Sequence, residues 1–461
     1  MIEKRSLFIS ILFIAIVAAL GGSSRADAVL QIPLRLLAII FLLIGLWDPD
    51  RAGIGRSKPL LWLMAATISI PAAQLILLPP ELWAALPGRA FYADLVSRIG
   101  LMETWRPISL TPGMTWNALL ALLIPAAMLV LTSQLSQRHL VYLGLVLLVI
   151  ALFSALLGYI QIAQGPSSGF RYYRPTNNDA MVGFFANRNH HALLLAQSIP
   201  ILFALAAGHT TNRVWQNLRL PVCIAGGLLI VVTLLLTGSR AGLLLGALGL
   251  VAGAAIFGSM KLARPGQPKG GELRSLPRGF AFTRNRYFAP LTATGVVLLA
   301  MAGLGSTVSI TRLAQTSPFE ERRFQLLEPM IELAAATFPL GGGMGSFDRL
   351  FRRFEDVTIL DTTYVNHAHN EVFQLIIEGG VPALVVLCAF LVWWFRATIS
   401  AWRMPAMPTL EGNLARIGSL LTGFAMLASL VDYPLRTPIH ASIFVLGCVW
   451  LQREVGKARA T

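Results

Sequence analysis

The sequence predicts an all-α polytopic membrane protein, and three observations carry that prediction. Apolar residues make up 55% of the 461-residue chain and charged residues only 13%, with a mean hydropathy of +0.66. This composition lies outside the range of soluble globular proteins. Apolar runs follow one another with little polar sequence between them, which favours a single transmembrane helical domain over residues 1–461.

Net charge and cysteine positions exclude two other classes of protein. The formal charge of +15 is not gathered in a basic, aromatic soluble domain of the kind that holds a nucleic acid. The three cysteines, Cys223, Cys388 and Cys448, all lie inside apolar runs. They therefore indicate small buried side chains, and neither a disulfide framework nor a thiolate metal site.

The apolar runs predict about twelve transmembrane helices, at about 20 residues per crossing. The predicted spans are 6–22, 29–47, 59–79, 114–133, 139–162, 190–208, 220–237, 241–259, 289–307, 371–395, 414–432 and 437–452. The first could pass for a signal peptide, but the many spans that follow favour a retained helix.

The lysines predict the orientation of the chain. Cytoplasmic loops of membrane proteins collect Lys and Arg. With a cytoplasmic N-terminus, all the lysines face the cytoplasm: Lys4, Lys58, Lys261, Lys269 and Lys457. An even number of spans then brings the C-terminus to the same side, and the basic, Gly- and Pro-rich residues 260–288 form a flexible cytoplasmic loop.

Three long segments then face the outside, at about 80–113, 163–189 and 308–370. The largest, inserted between the ninth and tenth helices, is predicted to be partly helical. A capping box at Ser317 to Glu320 should start a helix, and Pro329 should kink or divide it.

A glycine-rich turn in this large segment precedes a short amphipathic pattern. Apolar side chains recur at i, i+3, i+4 and i+7 after the turn, with three arginines among them. They are Phe347, Leu350, Phe351 and Phe354, with Arg349, Arg352 and Arg353. We expect a helix lying on the outer leaflet.

The polar stretch from Tyr364 to Glu371 is the strongest candidate for a reaction centre. It places His367, His369 and Asn370 at the start of the tenth span, where polar groups near hydrocarbon need partners. A neutral imidazole can take a proton from an attacking hydroxyl. The alternatives are structural capping, or a metal site that also uses His190 and His191.

Two arginines at outer helix ends predict anion binding. Arg188 stands beside Asn189 and His190, and Arg240 follows Ser239 in a tight turn. Guanidinium groups and helix N-termini both suit phosphate oxygens, and two arginines suit a diphosphate. The simpler alternative is that these arginines snorkel at helix ends.

Other charged residues are weaker candidates. Arg35 and Glu378 lie inside predicted spans and are functional candidates for that reason, but the sequence names no partner for either. Arg322 and Arg349 in the large outer segment suit lipid headgroups or a lipid-phosphate substrate.

Several of these stretches together resemble the O-antigen ligase and polymerase superfamily of bacterial membrane glycosyltransferases. The turn from Pro339 to Phe347 is similar to the family's proline-glycine turn. His369 and Asn370, followed by nine residues and Gly380, resemble its signature, although Ala383 stands where the family has Gly, Thr or Tyr. The remaining similar stretches are Pro107 to Pro112, Phe185 to His190 and Thr237 to Arg240. The resemblance covers about residues 105–435.

The resemblance implies a C-type glycosyltransferase-like fold in the bacterial inner membrane, with the active site facing the periplasm. It implies metal- and cofactor-independent, inverting transfer of a glycan from undecaprenyl diphosphate to an acceptor hydroxyl. His369 would be the general base or would orient the acceptor, and Arg188 and Arg240 would hold the diphosphate and stabilise it as a leaving group. Substrate-binding roles would fall to Asn189, His190, Ser239, His367, Asn370, Arg322 and Arg349.

Three functions remain open at this point. An O-antigen ligase would use lipid A-core as acceptor in lipopolysaccharide biosynthesis, whereas an O-antigen or exopolysaccharide polymerase would use a second lipid-linked unit. A transporter or flippase of lipid-linked oligosaccharides is the alternative from another class. It would place polar groups and broken helices at mid-membrane.

Overall fold

The computed structural model describes residues 2–25, 28–47, 51–174, 180–210, 212–263, 326–355 and 365–458. Apart from one pair of two-residue strands, the regular structure in these ranges is helical, which confirms the all-α class. The helices are α1 (Ile2–Leu20), α2 (Gln31–Trp47), α3 (Arg51–Arg56), α4 (Lys58–Gln74), α5 (Pro80–Ala84), α6 (Ala90–Arg98), α7 (Pro112–Ala121), α8 (Leu123–Ser133), α9 (Gln137–Gln164), α10 (Arg188–Ala207), α11 (Arg213–Leu236), α12 (Arg240–Leu262), α13 (Leu327–Thr337), α14 (Phe347–Phe351), α15 (Glu371–Arg403), α16 (Leu414–Ser429) and α17 (Pro438–Ala458). The antiparallel strands are β1 (Leu77–Leu78) and β2 (Arg106–Pro107).

The prediction of twelve membrane spans is not supported. Within the described ranges, 6 helices are long and apolar enough to cross a membrane. These are Pro112–Ser133, Gln137–Gln164, Arg188–Ala207, Arg213–Leu236, Arg240–Leu262 and Glu371–Arg403. Helices do form at most of the other predicted spans, but α2 and α4 have 17 residues each and α16 has 16. At 1.5 Å per residue they fall short of a hydrocarbon layer of about 30 Å.

The described residues fall into two compact units. Unit 1 lies within Met1–Leu135, Thr316–Ile399 and Ala425–Thr461. Unit 2 lies within Ser136–Gln315 and Ser400–Phe424. The single helical domain expected over residues 1–461 stays a prediction, as does the cytoplasmic position of both termini.

Unit 2 is built around α10, whose side chains are almost all buried. This helix packs against α9, α11 and α12. The approach of α12 is close because small residues face its partner: a Cβ at Gly249 would meet the Ala196 carbonyl oxygen at 3.2 Å, and one at Gly253 would meet the Phe203 ring at 2.7 Å. Small residues at such crossings let membrane helices approach each other closely.

In unit 1, α8 lies at the centre of the packing and contacts α1, α2 and α17. Its residues from Ile124 to Ser133 are all buried. Helix α4 packs against α7 and α8. Between α4 and α7, the strands β1 and β2 pair Leu77 with Pro107 and Leu78 with Arg106.

The large outer segment is described at residues 326–355 and 365–370, and it differs there from the expectation. Helix α13 starts at Leu327, so Pro329 lies in its first turn and not at a kink. The amphipathic pattern forms only the short helix α14, and its side chains pack inside the protein. Phe347, Leu350 and Phe351 are buried with residues of α13 and α15. The outer leaflet is therefore not needed to cover this apolar face.

Several predictions lie outside the described residues. These are the capping box at Ser317 to Glu320, the ninth span at 289–307, Arg322, and nearly all of the basic loop 260–288.

Helix α15 is broken at Gly380, and the glycine-rich turn fills the break. Gly380 has φ 57° and ψ −146°, a conformation almost confined to glycine. The break frees the carbonyls of Ile377 and Glu378, which accept hydrogen bonds from Gly342 N at 2.8 Å and Gly343 N at 3.0 Å. The Val381 N–H, on the other side of the break, donates to the Pro339 carbonyl. The turn therefore replaces the hydrogen bonds that the helix gives up.

We predict that Gly341→Ala destabilises the protein more than Gly165→Ala. Both glycines have φ near +79°, so an alanine is strained at each position. A Cβ at Gly165 meets open space, whereas one at Gly341 would overlap the Glu378 carbonyl. Thermal melting of the purified variants in detergent measures the difference. Equal melting temperatures would show that the turn does not pack tightly into the helix break.

Candidate functional site

Two helices of unit 2 begin with the predicted arginines. Helix α10 begins at Arg188, and the Asn187 side chain caps it by accepting from Asn189 N at 2.9 Å. Helix α12 begins at Arg240, and Ser239 Oγ caps it by accepting from Gly242 N at 3.1 Å. Both are N-caps of the commonest kind, and each leaves the positive end of a helix beside an arginine.

The structure brings these two helix starts together. The Ser239 hydroxyl donates to Asn189 Oδ1 at 2.8 Å, which ties the two N-termini to each other. Arg188 Nη1 lies 3.7 Å from the point where a Cβ at Gly238 would stand. Arg188, Asn189, Ser239 and Arg240 are therefore neighbours in unit 2, and they present guanidinium groups next to two helix N-termini.

The histidines of α10 lie inside unit 2. His190 is 2% exposed and packs edge-on against Phe185 with ring centroids 6.3 Å apart. His191 is fully buried, with Nδ1 3.3 Å from the Met181 carbonyl oxygen. The predicted contact of His190 with substrate stays a prediction.

In unit 1, the sequence His367 to Asn370 forms the entry to α15. Asn370 Oδ1 accepts from Val372 N at 3.0 Å and Phe373 N at 3.1 Å, so it caps the helix. Its amide nitrogen donates to the Leu430 carbonyl at 3.1 Å. His369 has φ 51°, and among the described residues it alone combines a side chain with positive φ. Such strain is typical of sites where the surroundings hold a residue for function.

The side chain of Gln374 determines the tautomer of His367. Its Oε1 accepts from Ala368 N at 3.1 Å, and a backbone N–H can only donate. The amide nitrogen therefore faces Glu378 Oε1 at 3.1 Å and His367 Nδ1 at 3.0 Å, and it donates to both. Because Nδ1 of His367 accepts this bond, the neutral imidazole carries its proton on Nε2.

His369 has a different electrostatic partner. Its Nδ1 lies 3.4 Å from Asp432 Oδ1, and both side chains are nearly buried. A carboxylate beside Nδ1 favours a proton there and leaves Nε2 as the acceptor. The Tyr433 ring packs against both imidazoles, with centroids 4.2 Å from His367 and 4.8 Å from His369.

Arg436 forms ion pairs with two carboxylates of α15. Its Nη1 lies 2.9 Å from Glu378 Oε2 and its Nε lies 3.2 Å from Glu371 Oε2. Burial disfavours the guanidinium charge, but Glu378 and Glu371 outweigh it and raise the pKa of Arg436. The Glu378 side chain is fully buried and also accepts from Phe347 N at 3.3 Å.

A cavity of about 1050 Å³ opens next to this network in unit 1. His367, Glu371, Glu378 and Arg436 line one part of it, and the predicted substrate residue Arg349 lines another. His369 is not among the described residues that line this cavity. Arg349 lies 3.9 Å from Asp348 and is about half exposed.

Three residues of this site were missed by sequence reasoning. Gln374, Asp432 and Arg436 set the tautomers and balance the buried charges. The signal for two of them was present: Asp432 ends a predicted span and Arg436 follows it in an outer loop. No pattern in the sequence pairs them with residues about 60 positions away.

A metal site was the alternative use for these histidines. Across the described residues, no three His, Cys, Asp or Glu side chains group closely enough to hold a metal ion.

Six helices within the described ranges are long and apolar enough to cross a membrane, and polar side chains gather at several helix starts. These features are typical of a multi-pass membrane protein.

The comparison with family models gives a match over part of the chain. Residues 225–388 match the model described as O-antigen ligase. This match confirms the resemblance to the O-antigen ligase and polymerase superfamily. It spans Arg240 and His369, whereas Arg188, Asp432 and Arg436 lie outside it. The comparison with curated proteins gave no match.

We predict that Arg436→Ala lowers the free energy of unfolding strongly. The change leaves Glu371 and Glu378 close together without their cation, and breaking a buried pair in this way costs about 3–5 kcal/mol. The matched control is Arg98→Ala, which removes an exposed pair with Asp94, worth about 0–1 kcal/mol. Thermal or denaturant unfolding in detergent measures both. Similar small losses for the two variants would contradict the assignment of Arg436.

Proposed function

We propose that the protein is a periplasmic-face glycosyltransferase that moves a glycan from undecaprenyl diphosphate to an acceptor hydroxyl. The O-antigen ligase reaction, with lipid A-core as acceptor, is the particular form that we favour. The observation that carries the proposal is the family match over residues 225–388, together with the two helix starts that present Arg188 and Arg240. The proposed setting is the bacterial inner membrane, with both termini in the cytoplasm.

The arginines fit the role of a diphosphate clamp. When an acceptor attacks the anomeric carbon, the bond to the diphosphate breaks and negative charge grows on the leaving oxygen. Fixed cations and helix N-termini aimed at that charge lower the barrier without needing to reorganise. The hydrogen bond between Ser239 and Asn189 at 2.8 Å supports this role, because it holds the two helix starts in one arrangement.

The two histidines fit different roles. His369, with Nδ1 facing Asp432 at 3.4 Å, would accept the proton of the acceptor hydroxyl on Nε2. Asp432 then stabilises the imidazolium that forms. His367 carries its proton on Nε2 and suits a hydrogen-bond donor to substrate. This division supports His369 over His367 as the general base.

In the proposed reaction, the acceptor hydroxyl attacks the anomeric carbon directly. A single displacement without a protein nucleophile then inverts the anomeric configuration. The large outer segment would exclude water that could hydrolyse the donor.

The break at Gly380 is a feature that the transporter alternative also expects. In transporters, unwound backbone carbonyls coordinate ions or substrate. Here the freed carbonyls of Ile377 and Glu378 are taken by Gly342 N and Gly343 N, and Gln74 Nε2 adds a further bond to the Glu378 carbonyl at 2.8 Å. The break therefore fits a structural junction better than a transport site.

We predict that His369→Ala and Arg240→Ala each abolish glycan transfer while the protein remains folded in the membrane. The first removes the proposed base and the second a charge on the leaving diphosphate. Two controls match the changes: His209→Ala alters an exposed histidine, and Arg213→Ala removes an arginine that also begins a helix. Polysaccharide ladders on gels from cells that carry each variant measure transfer. A normal ladder from either test variant would refute the mechanism.

We further predict that the purified protein makes a product with lipid A-core and a lipid-diphosphate glycan, and that chelators leave the yield unchanged. A parallel reaction replaces lipid A-core by a second lipid-linked unit. Elongated lipid-linked product in that reaction alone would assign the polymerase activity instead. Loss of activity that zinc or magnesium restores would favour a metal-dependent reaction.

A further inference from the structure

The chain between α4 and α7 leaves unit 1 and returns to it at one point. Strands β1 and β2 pair Leu77 with Pro107, and the membrane span Pro112–Ser133 begins five residues after Pro107. Five residues reach at most about 18 Å, so the strand pair lies close to the end of a membrane helix. The α5–α6 segment, residues 77–107, is therefore held near the boundary between membrane and water.

Helix α6 is fixed to unit 1 by one of its sides. Gly88, just before α6, passes so close to α13 that a Cβ there would overlap the Ala336 carbonyl oxygen. The guanidinium carbon of Arg353 lies 3.6 Å from the centroid of the Phe91 ring. Tyr92 packs against the buried cluster formed by α13, α14 and α15. These contacts determine which side of α6 faces the protein.

Another side of α6 carries an apolar stripe. Phe91, Leu95 and Ile99 recur every four residues, so they lie one above another, and they are 48%, 49% and 60% exposed within the described ranges. Asp94 and Ser97 are exposed as well. Ser97 lies about 200° round the helix from Leu95, at about 100° per residue. The helix therefore presents apolar side chains on one exposed side and polar side chains on another.

Further large apolar side chains are exposed in the same α5–α6 segment. They are Leu82, Leu101, Met102 and Trp105. Single exposed apolar residues are normal, but many of them on one short segment indicate an interaction surface. Tryptophan is enriched where a membrane protein meets the boundary between lipid and water.

The charges of the α5–α6 segment balance each other. It contains three arginines and three carboxylates, which are Arg89, Arg98, Arg106, Glu81, Asp94 and Glu103. One of the arginines, Arg89, is buried and donates to the Ile108 carbonyl, and Arg98 pairs with Asp94 at 2.9 Å. A surface without net charge has no preference for an anionic headgroup. The partner that fits it is hydrocarbon.

We propose that the α5–α6 segment anchors unit 1 in the membrane surface. In this arrangement α6 lies in the plane of the leaflet at which Pro112–Ser133 begins, with Phe91, Leu95 and Ile99 among the acyl chains. Amphipathic helices of this kind bury their apolar face about 5–10 Å into the leaflet. The inference goes beyond the proposed function, because it needs no glycan, no diphosphate and no transfer step.

Spin labels on single cysteines test the position of the stripe. The full-length protein carries Leu95→Cys or Ile99→Cys after the native Cys223, Cys388 and Cys448 have been replaced by alanine. It is reconstituted in vesicles of dioleoylphosphatidylcholine, a lipid without net charge. Power-saturation electron paramagnetic resonance then compares collisions with oxygen, which concentrates in hydrocarbon, and with a water-soluble nickel chelate. We expect both labels to collide mainly with oxygen, at a depth of about 5–10 Å.

The matched control is Ser97→Cys, an exposed position on the far side of the same helix. Its label should collide mainly with the nickel chelate. All three positions are exposed, so the variants should fold, and thermal melting against the cysteine-free parent checks this. If one stripe variant does not fold, the other measures the same surface.

Two results would overturn the inference. Labels at Leu95 and Ile99 that meet the nickel chelate as often as the label at Ser97 would place the stripe in water. Labels shielded from both reagents would show that protein covers the stripe, and dipolar broadening of the spectra would identify that protein as a second copy of the chain.

The lipid composition provides an independent check of the partner. Replacing half of the phosphatidylcholine by anionic phosphatidylglycerol should leave the depth of both labels unchanged, because the segment has no net charge. Insertion only in the anionic vesicles would contradict the inference. No donor or acceptor glycan is present in these experiments, so their outcome is separate from that of the proposed transfer reaction.

Discussion

The buried carboxylate of Glu378 is the constraint on which unit 1 depends. Its side chain bonds Arg436 at 2.9 Å and Gln374 at 3.1 Å. Its backbone carbonyl bonds Gly343 N at 3.0 Å and Gln74 at 2.8 Å. One residue therefore joins the break in α15, the glycine-rich turn and the loop that carries Arg436. A carboxylate without solvent needs all its hydrogen bonds, so these segments keep one relative arrangement.

This arrangement depends on the number of residues between His369 and Gly380. Asn370 caps the first turn of α15, and Gly380 ends the first part of the helix by taking a conformation that other residues avoid. Between them, Gln374 and Glu378 lie one helical turn apart on one face of α15. Glu378 bonds Arg436, and Gln374 bonds both Glu378 and His367, so these contacts link Arg436 to His367. An insertion would rotate this face away from the histidines.

The polar groups of the two units differ in kind. In unit 1, a carboxylate faces the His369 imidazole and two others balance a buried cation. In unit 2, arginines stand beside capped helix starts, where the partial positive charge of each helix adds to theirs. The first arrangement suits proton transfer and the second suits anion stabilisation, which are the two requirements of glycan transfer from a lipid diphosphate.

The sequence alone determined the all-α membrane class, the family resemblance and the helix starts at Arg188 and Arg240. These follow from hydropathy, short motifs and capping residues, which are local properties of the chain. Only the tertiary structure decided that Gln374, Asp432 and Arg436 belong to the site, that α14 packs inside the protein, and that His190 is buried. Contacts such as Glu378 with Arg436 join positions that no periodicity relates, because they arise when the chain folds back on itself. The predicted number of spans is not supported within the described residues, because an apolar run shows that a segment avoids water but does not fix the length of the helix that it forms.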